Sequence, residues 1–186
     1  TKEIQQALID KRIDIAVHSM KDVETELPEK LVISTILKRE DVRDSFISRK
    51  YSSISELPLG SIVGTSSLRR KAQLLNKRND LKVVEFRGNV QKRLEKLDNN
   101  VAVATFLATA GLNRLGLEEL INPIATDEML PAVAQGAVGI EHLRSEKIEE
   151  ILAPLNDSVS KKRVEAERAF LTELDGSCRT PIGGLA

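Results

Sequence analysis

Aromatic side chains and a surplus of positive charge are both lacking in this sequence. It has no tryptophan, one tyrosine and four phenylalanines, and its 28 lysine and arginine residues are balanced by 28 aspartate and glutamate residues. Proteins that hold nucleic acid by bulk charge carry a basic excess, and those that bind single strands stack bases on aromatic rings. The composition therefore argues against nucleic-acid binding, and any anion site has to be a local cluster.

Cysteine and histidine are also scarce. One cysteine excludes an intrachain disulfide and is typical of a reducing compartment such as the cytoplasm. The two histidines and the cysteine lie far apart without a repeated ligand spacing, so we predict no metal site. No apolar run reaches about 18 residues and no charged-then-apolar leader opens the chain, so we expect no membrane partner.

The 186 residues alternate short β-like runs with longer helical patterns, which predicts an α/β fold. The succession strand, helix, strand, helix over residues 82–115 predicts parallel pairing with right-handed crossovers. A run of charges at residues 38–44 fits either a solvated loop or a crossing between two lobes. The predicted strands are Ile13–Val17, Leu31–Leu37, Phe46–Ser48, Ile62–Val63, Lys82–Phe86, Val101–Leu107 and a small-residue return strand over Leu130–Ile140.

Polar residues follow the first predicted strand directly. The apolar, buried run that ends at Val17 leads into His18, Ser19, Lys21 and Asp22. Such groups at the carboxyl edge of a strand lie where open α/β sheets bind ligands, although a strand with an ordinary polar turn gives the same pattern. We expect His18 to be packed and hydrogen-bonded rather than to act as a general base.

A second polar turn joins a short strand to an amphipathic helix. Thr65, Ser66 and Ser67 offer hydroxyl groups, and the helix start that follows favours an anion through its amides and dipole. Arg69 and Arg70 oppose the usual acidic preference of a first helical turn. A negative ligand would compensate them, whereas the alternative is that they serve surface solubility.

Cys178 lies in a loop after the glycine that ends the last predicted helix. A lone cysteine is commonly a small buried apolar residue. Beside Arg179, however, its thiolate would be stabilised and accessible, so a covalent attachment site is the second interpretation.

Six motifs together carry a family resemblance through essentially all 186 residues. They are Val17–Val23, Gly64–Arg70, Arg87–Val90, Ala110–Gly116, Gln135–Ala137 and Gly176–Cys178. In order and spacing they resemble the porphobilinogen deaminase (hydroxymethylbilane synthase) family. Compared with that family, the chain looks like a fragment that lacks the N-terminal strand region and most of the C-terminal domain. Ala134 also replaces a glycine that is frequent in the family.

The resemblance implies two lobes like those of type II periplasmic binding proteins, with the active site in the cleft between them, followed by the start of a small α+β third domain. Domain 1 would comprise residues 1–40 and 137–154, domain 2 residues 41–136, and domain 3 residues 155–186 with the cysteine loop. It also implies a cytoplasmic, monomeric transferase of haem biosynthesis. This enzyme joins four porphobilinogen molecules head to tail with loss of ammonia and then releases hydroxymethylbilane by hydrolysis.

The resemblance also assigns roles to residues. Asp22 would be catalytic, and Cys178 would carry a dipyrromethane primer through a thioether. Cofactor contacts are implied for Ser19, Lys21, Thr65, Ser66, Ser67, Arg69, Arg70, Arg87 and Gly88, and substrate contacts for Arg93, Arg114 and Gln135. The alternative from another class is a non-catalytic anion-binding module of the same architecture, which would need neither Asp22 nor Cys178.

Overall fold

The structure, a computed structural model, describes residues 2–174, 176 and 180–186. The predicted attachment residue Cys178 lies outside the described residues. In chain order, the strands β1 to β7 of the described part are Ile15–Ser19, Leu31–Ile36, Asp44–Ser48, Ile62–Gly64, Lys82–Val84, Ala104–Ala108 and Val138–Leu143.

Six α-helices lie among the described residues. In chain order, α1 to α6 are Lys2–Ile9, Leu68–Lys77, Val90–Asp98, Thr109–Arg114, Glu146–Leu152 and Ser158–Glu173. Three single turns of 3₁₀-helix lie at Met20–Asp22, Glu118–Leu120 and Ala153–Leu155. Side-chain caps start three of the helices, as Ser67, Asn89 and Asp157 each accept a backbone N–H from the first turn that follows.

The chain divides into two compact units. Unit 1 comprises Thr1–Val42, Ala132–Cys178 and Gly184–Ala186, and unit 2 comprises Arg43–Pro131 and Arg179–Gly183. The domain boundaries that the resemblance implies, including a third domain from residue 155, remain predictions.

The sheet of unit 1 has the strand order β1-β7-β2, with β7 antiparallel to both neighbours. Its strand β1 is therefore an edge strand, and its residues alternate between exposed and buried. Val17 is 62% exposed, while Ala16 and His18 are buried. The prediction that this whole run is buried is wrong, because only one of its two faces packs on the core.

The sheet of unit 2 has the order β3-β6-β4-β5. Strand β4 is parallel to β5 and β6, and β3 is antiparallel to β6. Neighbouring residues point to opposite faces, so Phe46 and Phe106 pack in one core, whereas Ile47 and Leu107 pack in another. Both faces are covered, which explains the continuous apolar runs of β3 and β6.

The parallel pairing predicted from the succession of strands and helices over residues 82–115 is confirmed, because β5 and β6 both run parallel to β4. Strands β1 and β2 pair antiparallel with β7, and β3 pairs antiparallel with β6. The alternation specifies parallel crossovers only from β4 to β6, where helices α2 and α3 connect successive strands. After β2 the chain leaves unit 1, and it re-enters through β7, which runs in the opposite direction between β1 and β2.

Only the last three residues of the predicted return strand over Leu130–Ile140 are strand, because the strand begins at Val138. The preceding residues form a turn in which Ala134 has φ +59° and Gly136 has φ +85°. These left-handed conformations cannot belong to a strand. Glycine is the residue that adopts them without a steric penalty, so the alanine at position 134 is strained.

A buried carboxylate closes unit 1. Glu167 of α6 accepts two hydrogen bonds from Arg39, Nη1 to Oε1 at 2.6 Å and Nη2 to Oε2 at 3.0 Å. It also accepts the backbone N–H groups of Ala134 at 2.6 Å and Ala186 at 3.1 Å. Four donors from three distant segments thus meet on one side chain that is 3% exposed.

Unit 2 has an equivalent centre in Asp44, the first residue of β3, which is fully buried. Arg69 donates to its Oδ2 at 2.8 Å, and Arg70 donates to its Oδ1 through Nη2 at 2.6 Å and Nε at 3.1 Å. Burial by itself would raise the pKa of Asp44, but the charges and hydrogen bonds of Arg70 and Arg69 outweigh it and lower the pKa from 3.8 to about 2.

A search of the described residues finds no helix long and apolar enough to cross a membrane.

Two substitutions in the turn before β7 should have opposite effects on stability. Alanine in the left-handed conformation of residue 134 costs about 1–2 kcal/mol, which Ala134→Gly removes. The greater backbone entropy of glycine in the unfolded chain costs about 0.5–1 kcal/mol in return. We therefore expect Ala134→Gly to raise the free energy of unfolding by about 0.5 kcal/mol. Gly136→Ala places a Cβ 2.6 Å from the carbonyl oxygen of Glu40 at a positive φ, and should lower stability by at least about 2 kcal/mol. Urea unfolding measures both, and effects of the same sign would contradict this account of the turn.

Asp44 should make the stability of the protein sensitive to acid. Its pKa is lowered on folding, so its contribution of about 2 kcal/mol is present above about pH 4 and is lost as the pH falls towards 2. We expect the difference in unfolding free energy between wild type and Asp44→Asn to be constant from pH 8 to 5 and to shrink below pH 4. Asp98→Asn, which breaks an exposed ion pair with Arg49, is the control and should cost less than about 1 kcal/mol. A difference independent of pH would show that folding leaves the pKa of Asp44 unchanged, and would contradict its pairing with the two arginines as an ion.

Candidate functional site

The turn after β1 holds the predicted catalytic residue in unit 1. Met20, which is 2% exposed, anchors this turn: its backbone N–H donates to Ala137 at 3.0 Å, and its side chain packs where Gly139 has no Cβ. Ser19 and Asp22 on either side of it are exposed. The buried methionine thus fixes a short turn whose hydroxyl and carboxylate groups face solvent.

His18 lies one residue before this turn and is buried. Its Nε2 is 2.8 Å from Oε2 of Glu141 on β7, and Gln5 of α1 donates to Oε1 of the same carboxylate at 2.9 Å. The prediction that His18 is packed and hydrogen-bonded is confirmed. The contact joins the end of β1 to the central strand of the sheet.

Gln135, predicted to contact substrate, is 1% exposed in unit 1. Its Nε2 donates to the carbonyl of Val42 at 2.7 Å, and its own carbonyl accepts Nε of Arg39 at 2.9 Å. These contacts brace the charged segment 38–44 at its unit 1 end. A substrate role for Gln135 remains a prediction.

In unit 2 the loop after β4 presents three hydroxyl groups in a fixed arrangement. Thr65 Oγ1 accepts the N–H of Ser67 at 3.2 Å, Ser66 Oγ accepts that of Phe86 at 2.8 Å, and Ser67 Oγ accepts that of Arg70 at 3.4 Å. A hydroxyl group has its own proton to donate in addition. No acceptor among the described residues takes these protons, so all three are available to the oxygen atoms of a ligand.

Arg69 and Arg70 on the first turn of α2 are 5% and 6% exposed, so the surface-solubility interpretation is wrong. Besides their contacts with Asp44, Arg69 donates to the carbonyl of Leu130 and Arg70 to that of Phe106 at 3.0 Å. The negative group that compensates them in the structure belongs to the chain itself. Whether they also bind ligand carboxylates is left as a prediction.

The other predicted arginines are more accessible. Arg87 is ion-paired with Glu85 at 2.6 Å on the surface, and Arg114 is exposed in the last turn of α4. Arg93 is partly buried and donates to the carbonyl of Gly88 at 2.8 Å. Burial, and then the charge of Arg70, lower the pKa of Arg93, which places these two cations within electrostatic range.

Gly88 has φ +129°, a backbone conformation that glycine adopts without the steric penalty that a Cβ would bring. Lys21 is partly exposed in the turn after β1. Unit 1 therefore brings together Ser19, Lys21 and Asp22, and unit 2 brings together the hydroxyl loop, Arg69, Arg70 and Arg93.

Asp44 is the residue of the site that the sequence reasoning missed. In the sequence it stands within the run of charges at residues 38–44, which fits either a loop or a crossing. Its signal is position: it directly precedes the apolar residues of β3, and a carboxylate at the start of a buried strand needs a cation nearby.

The fold is similar to that of solved binding proteins. One is a periplasmic substrate-binding protein of an ABC transporter from Coxiella burnetii, with a TM-score of 0.53 and 15% identity; the match covers 97% of this chain and 82% of that chain. The predicted α/β fold of the periplasmic-binding-protein type is thus confirmed. At this identity the similarity concerns the fold alone.

Closer relatives are found among curated proteins. The chain is 59% identical over 188 residues to a porphobilinogen deaminase of Paracoccus denitrificans, and 55% identical over 189 residues to a chloroplastic porphobilinogen deaminase of Pisum sativum. Both matches cover 100% of this chain but only 60% and 51% of the relatives. The chain therefore spans between half and two thirds of their length.

Two family models match in succession. The model described as "Porphobilinogen deaminase, dipyromethane cofactor binding domain" matches residues 1–150. The model described as "Porphobilinogen deaminase, C-terminal domain" matches residues 161–186. Together with the relatives, they show that the chain belongs to the porphobilinogen deaminase family.

Proposed function

We propose that the protein condenses four porphobilinogen molecules head to tail, with loss of ammonia at each step, and releases hydroxymethylbilane by hydrolysis. The observation that carries the proposal is the exposed carboxylate of Asp22 on a turn fixed by buried Met20, within the segment that matches the cofactor-binding domain. Family membership and relatives at 55–59% identity support it.

Asp22 would act on charge that develops in the substrate. When the carbon–nitrogen bond of the aminomethyl group breaks and ammonia leaves, the pyrrole becomes a cation whose charge reaches its ring N–H. A carboxylate at 4 Å favours that cation by about 1 kcal/mol in water and by about 4 kcal/mol at an effective dielectric constant of 20. The contribution therefore grows as bound substrate displaces water from the exposed side chain.

Carboxylate recognition would fall to unit 2. Porphobilinogen carries an acetate and a propionate side chain, and a dipyrromethane built from it carries the same groups. The three hydroxyl protons of residues 65–67 and the guanidinium groups beside them are donors of the kind that carboxylates require, so the residues present fit such a group. When bound, the dipyrromethane supplies the pyrrole carbon to which the first substrate is joined.

Cys178 is proposed as the attachment residue, as a thioether to dipyrromethane. The fit of the C-terminal family model over residues 161–186 supports it. We also propose that the protein works as a monomer in a reducing compartment, which a single cysteine suits. We propose the cytoplasm as this compartment, while the pea relative is described as chloroplastic.

Substitution of Asp22 should separate catalysis from folding. Because Asp22 is exposed, Asp22→Ala should fold with an unchanged melting temperature, yet turnover of porphobilinogen should fall by about 100-fold or more. The full-length enzyme is assayed for hydroxymethylbilane formation. Glu24→Gln, an exposed acid two residues further on, is the matched control and should retain activity. Activity of Asp22→Ala near the wild-type level would remove Asp22 from the mechanism.

The intact mass of the purified full-length protein under denaturing conditions tests the attachment. We expect a mass above the sequence value by one dipyrromethane, and the sequence mass alone for Cys178→Ser. Acidic aldehyde reagent should colour the wild type and not the variant. An unmodified wild-type mass would contradict covalent attachment and would favour the non-catalytic anion-binding alternative.

A further inference from the structure

Both carboxylate oxygens of Asp44 are engaged by cations from the next helix. Oδ2 accepts Nη2 of Arg69 at 2.8 Å, while Oδ1 accepts Nη2 of Arg70 at 2.6 Å and Nε at 3.1 Å. The aspartate comes from β3 and the arginines from α2, which follows the hydroxyl loop. The carboxylate therefore fixes two guanidinium groups next to the donors of that loop.

The described contacts within the protein engage only some of the N–H donors of these two guanidinium groups. A guanidinium has five N–H donors, of which Arg69 uses two, to Asp44 and Leu130, and Arg70 uses three, to Asp44 and Phe106. Among the contacts of the described residues, the remaining N–H donors have no acceptor. Their directions are set because the bonds to Asp44 and to the two carbonyl groups hold each planar group.

The three described side chains carry a net charge. Arg69, Arg70 and Asp44 sum to one positive charge, and none of them is more than 6% exposed. Arg93 adds a further cation close enough for the charge of Arg70 to lower its pKa. Such a surplus in a poorly solvated place favours an anion more than the same charge on the surface would.

We propose that Asp44 is a positioning residue for carboxylate recognition. It aims the remaining donors of Arg69 and Arg70 and reduces their combined charge from two to one, so that the pair takes a single carboxylate group. This inference rests on the proposed function, since it specifies how carboxylate side chains of substrate or of the growing chain are bound. A purely structural ion pair would need the same contacts but would leave ligand selectivity unaffected when it is altered.

Two variants of Asp44 separate its charge from its position. Asp44→Asn keeps the shape of the side chain but restores a charge of two to the arginine pair. Asp44→Glu keeps the charge but moves the carboxylate by one methylene group. Asp98→Asn, which breaks the exposed ion pair with Arg49 in the same unit, is the matched control. All three are made in the full-length enzyme, with intact mass and melting temperature recorded first.

The decisive measurements are KM for porphobilinogen and the inhibition constants of acetate and succinate. For Asp44→Asn we expect KM to rise at least tenfold, with kcat changing less. Inhibition by the dicarboxylate succinate, relative to acetate, should strengthen at least fivefold. Asp44→Glu should raise KM severalfold with an unchanged ratio of inhibition constants, and Asp98→Asn should change neither.

Wild-type KM and an unchanged inhibition ratio in a folded Asp44→Asn, with only the melting temperature lowered, would overturn the proposal. If Asp44→Asn fails to fold, the KM of Asp44→Glu for porphobilinogen becomes the test. A wild-type KM in that variant also overturns the proposal. A wild-type enzyme without deaminase activity would instead refute the proposed function, so the two failures are distinguishable.

Discussion

The arrangement of both units depends on the requirement that a buried carboxylate must be neutralised. Glu167 and Asp44 are each nearly or fully buried, and each collects donors that are far apart in the sequence. Leaving such a charge unpaired costs several kcal/mol, so the donor segments are held wherever the carboxylate lies. In unit 1 these segments are the start of the charged run at residues 38–44, the turn before β7 and the backbone at Ala186. In unit 2 they are the first turn of α2.

The polar residues at the strand ends are held by further contacts within each unit. The hydroxyl loop is bonded through its oxygens to backbone N–H groups, and Met20 anchors the turn that carries Asp22. The ligand-facing groups are therefore positioned by contacts that do not themselves involve the ligand. A site of this kind is pre-organised, which reduces the ordering cost of binding.

Local pattern was sufficient to predict much of this structure. The helix that begins at Leu68 with Ser67 as its cap, and the strands β2 to β6 to within a few residues, follow from apolar periodicity and capping chemistry. The features that local pattern did not predict depend on contacts with residues far away in the sequence. Antiparallel pairing of β7 with β1 and β2, and the alternating burial of β1, depend on residues about 120 positions away. Likewise, nothing beside Asp44 in the sequence identifies Arg69 and Arg70 as its partners, and the positive φ of Ala134 has no compositional signal.

The central position of β7 has a consequence for the order in which the protein can fold during synthesis. Strands β1 and β2 do not pair with each other, because each has β7 as its partner in the sheet. Strands β1 and β2 therefore emerge from the ribosome before the strand that joins them. Unit 2, whose main segment Arg43–Pro131 is continuous, can fold before β7 is synthesised. The exposed apolar residues of β1 and β2 are then most open to chaperones, or to a neighbouring nascent chain, during the translation of roughly a hundred codons.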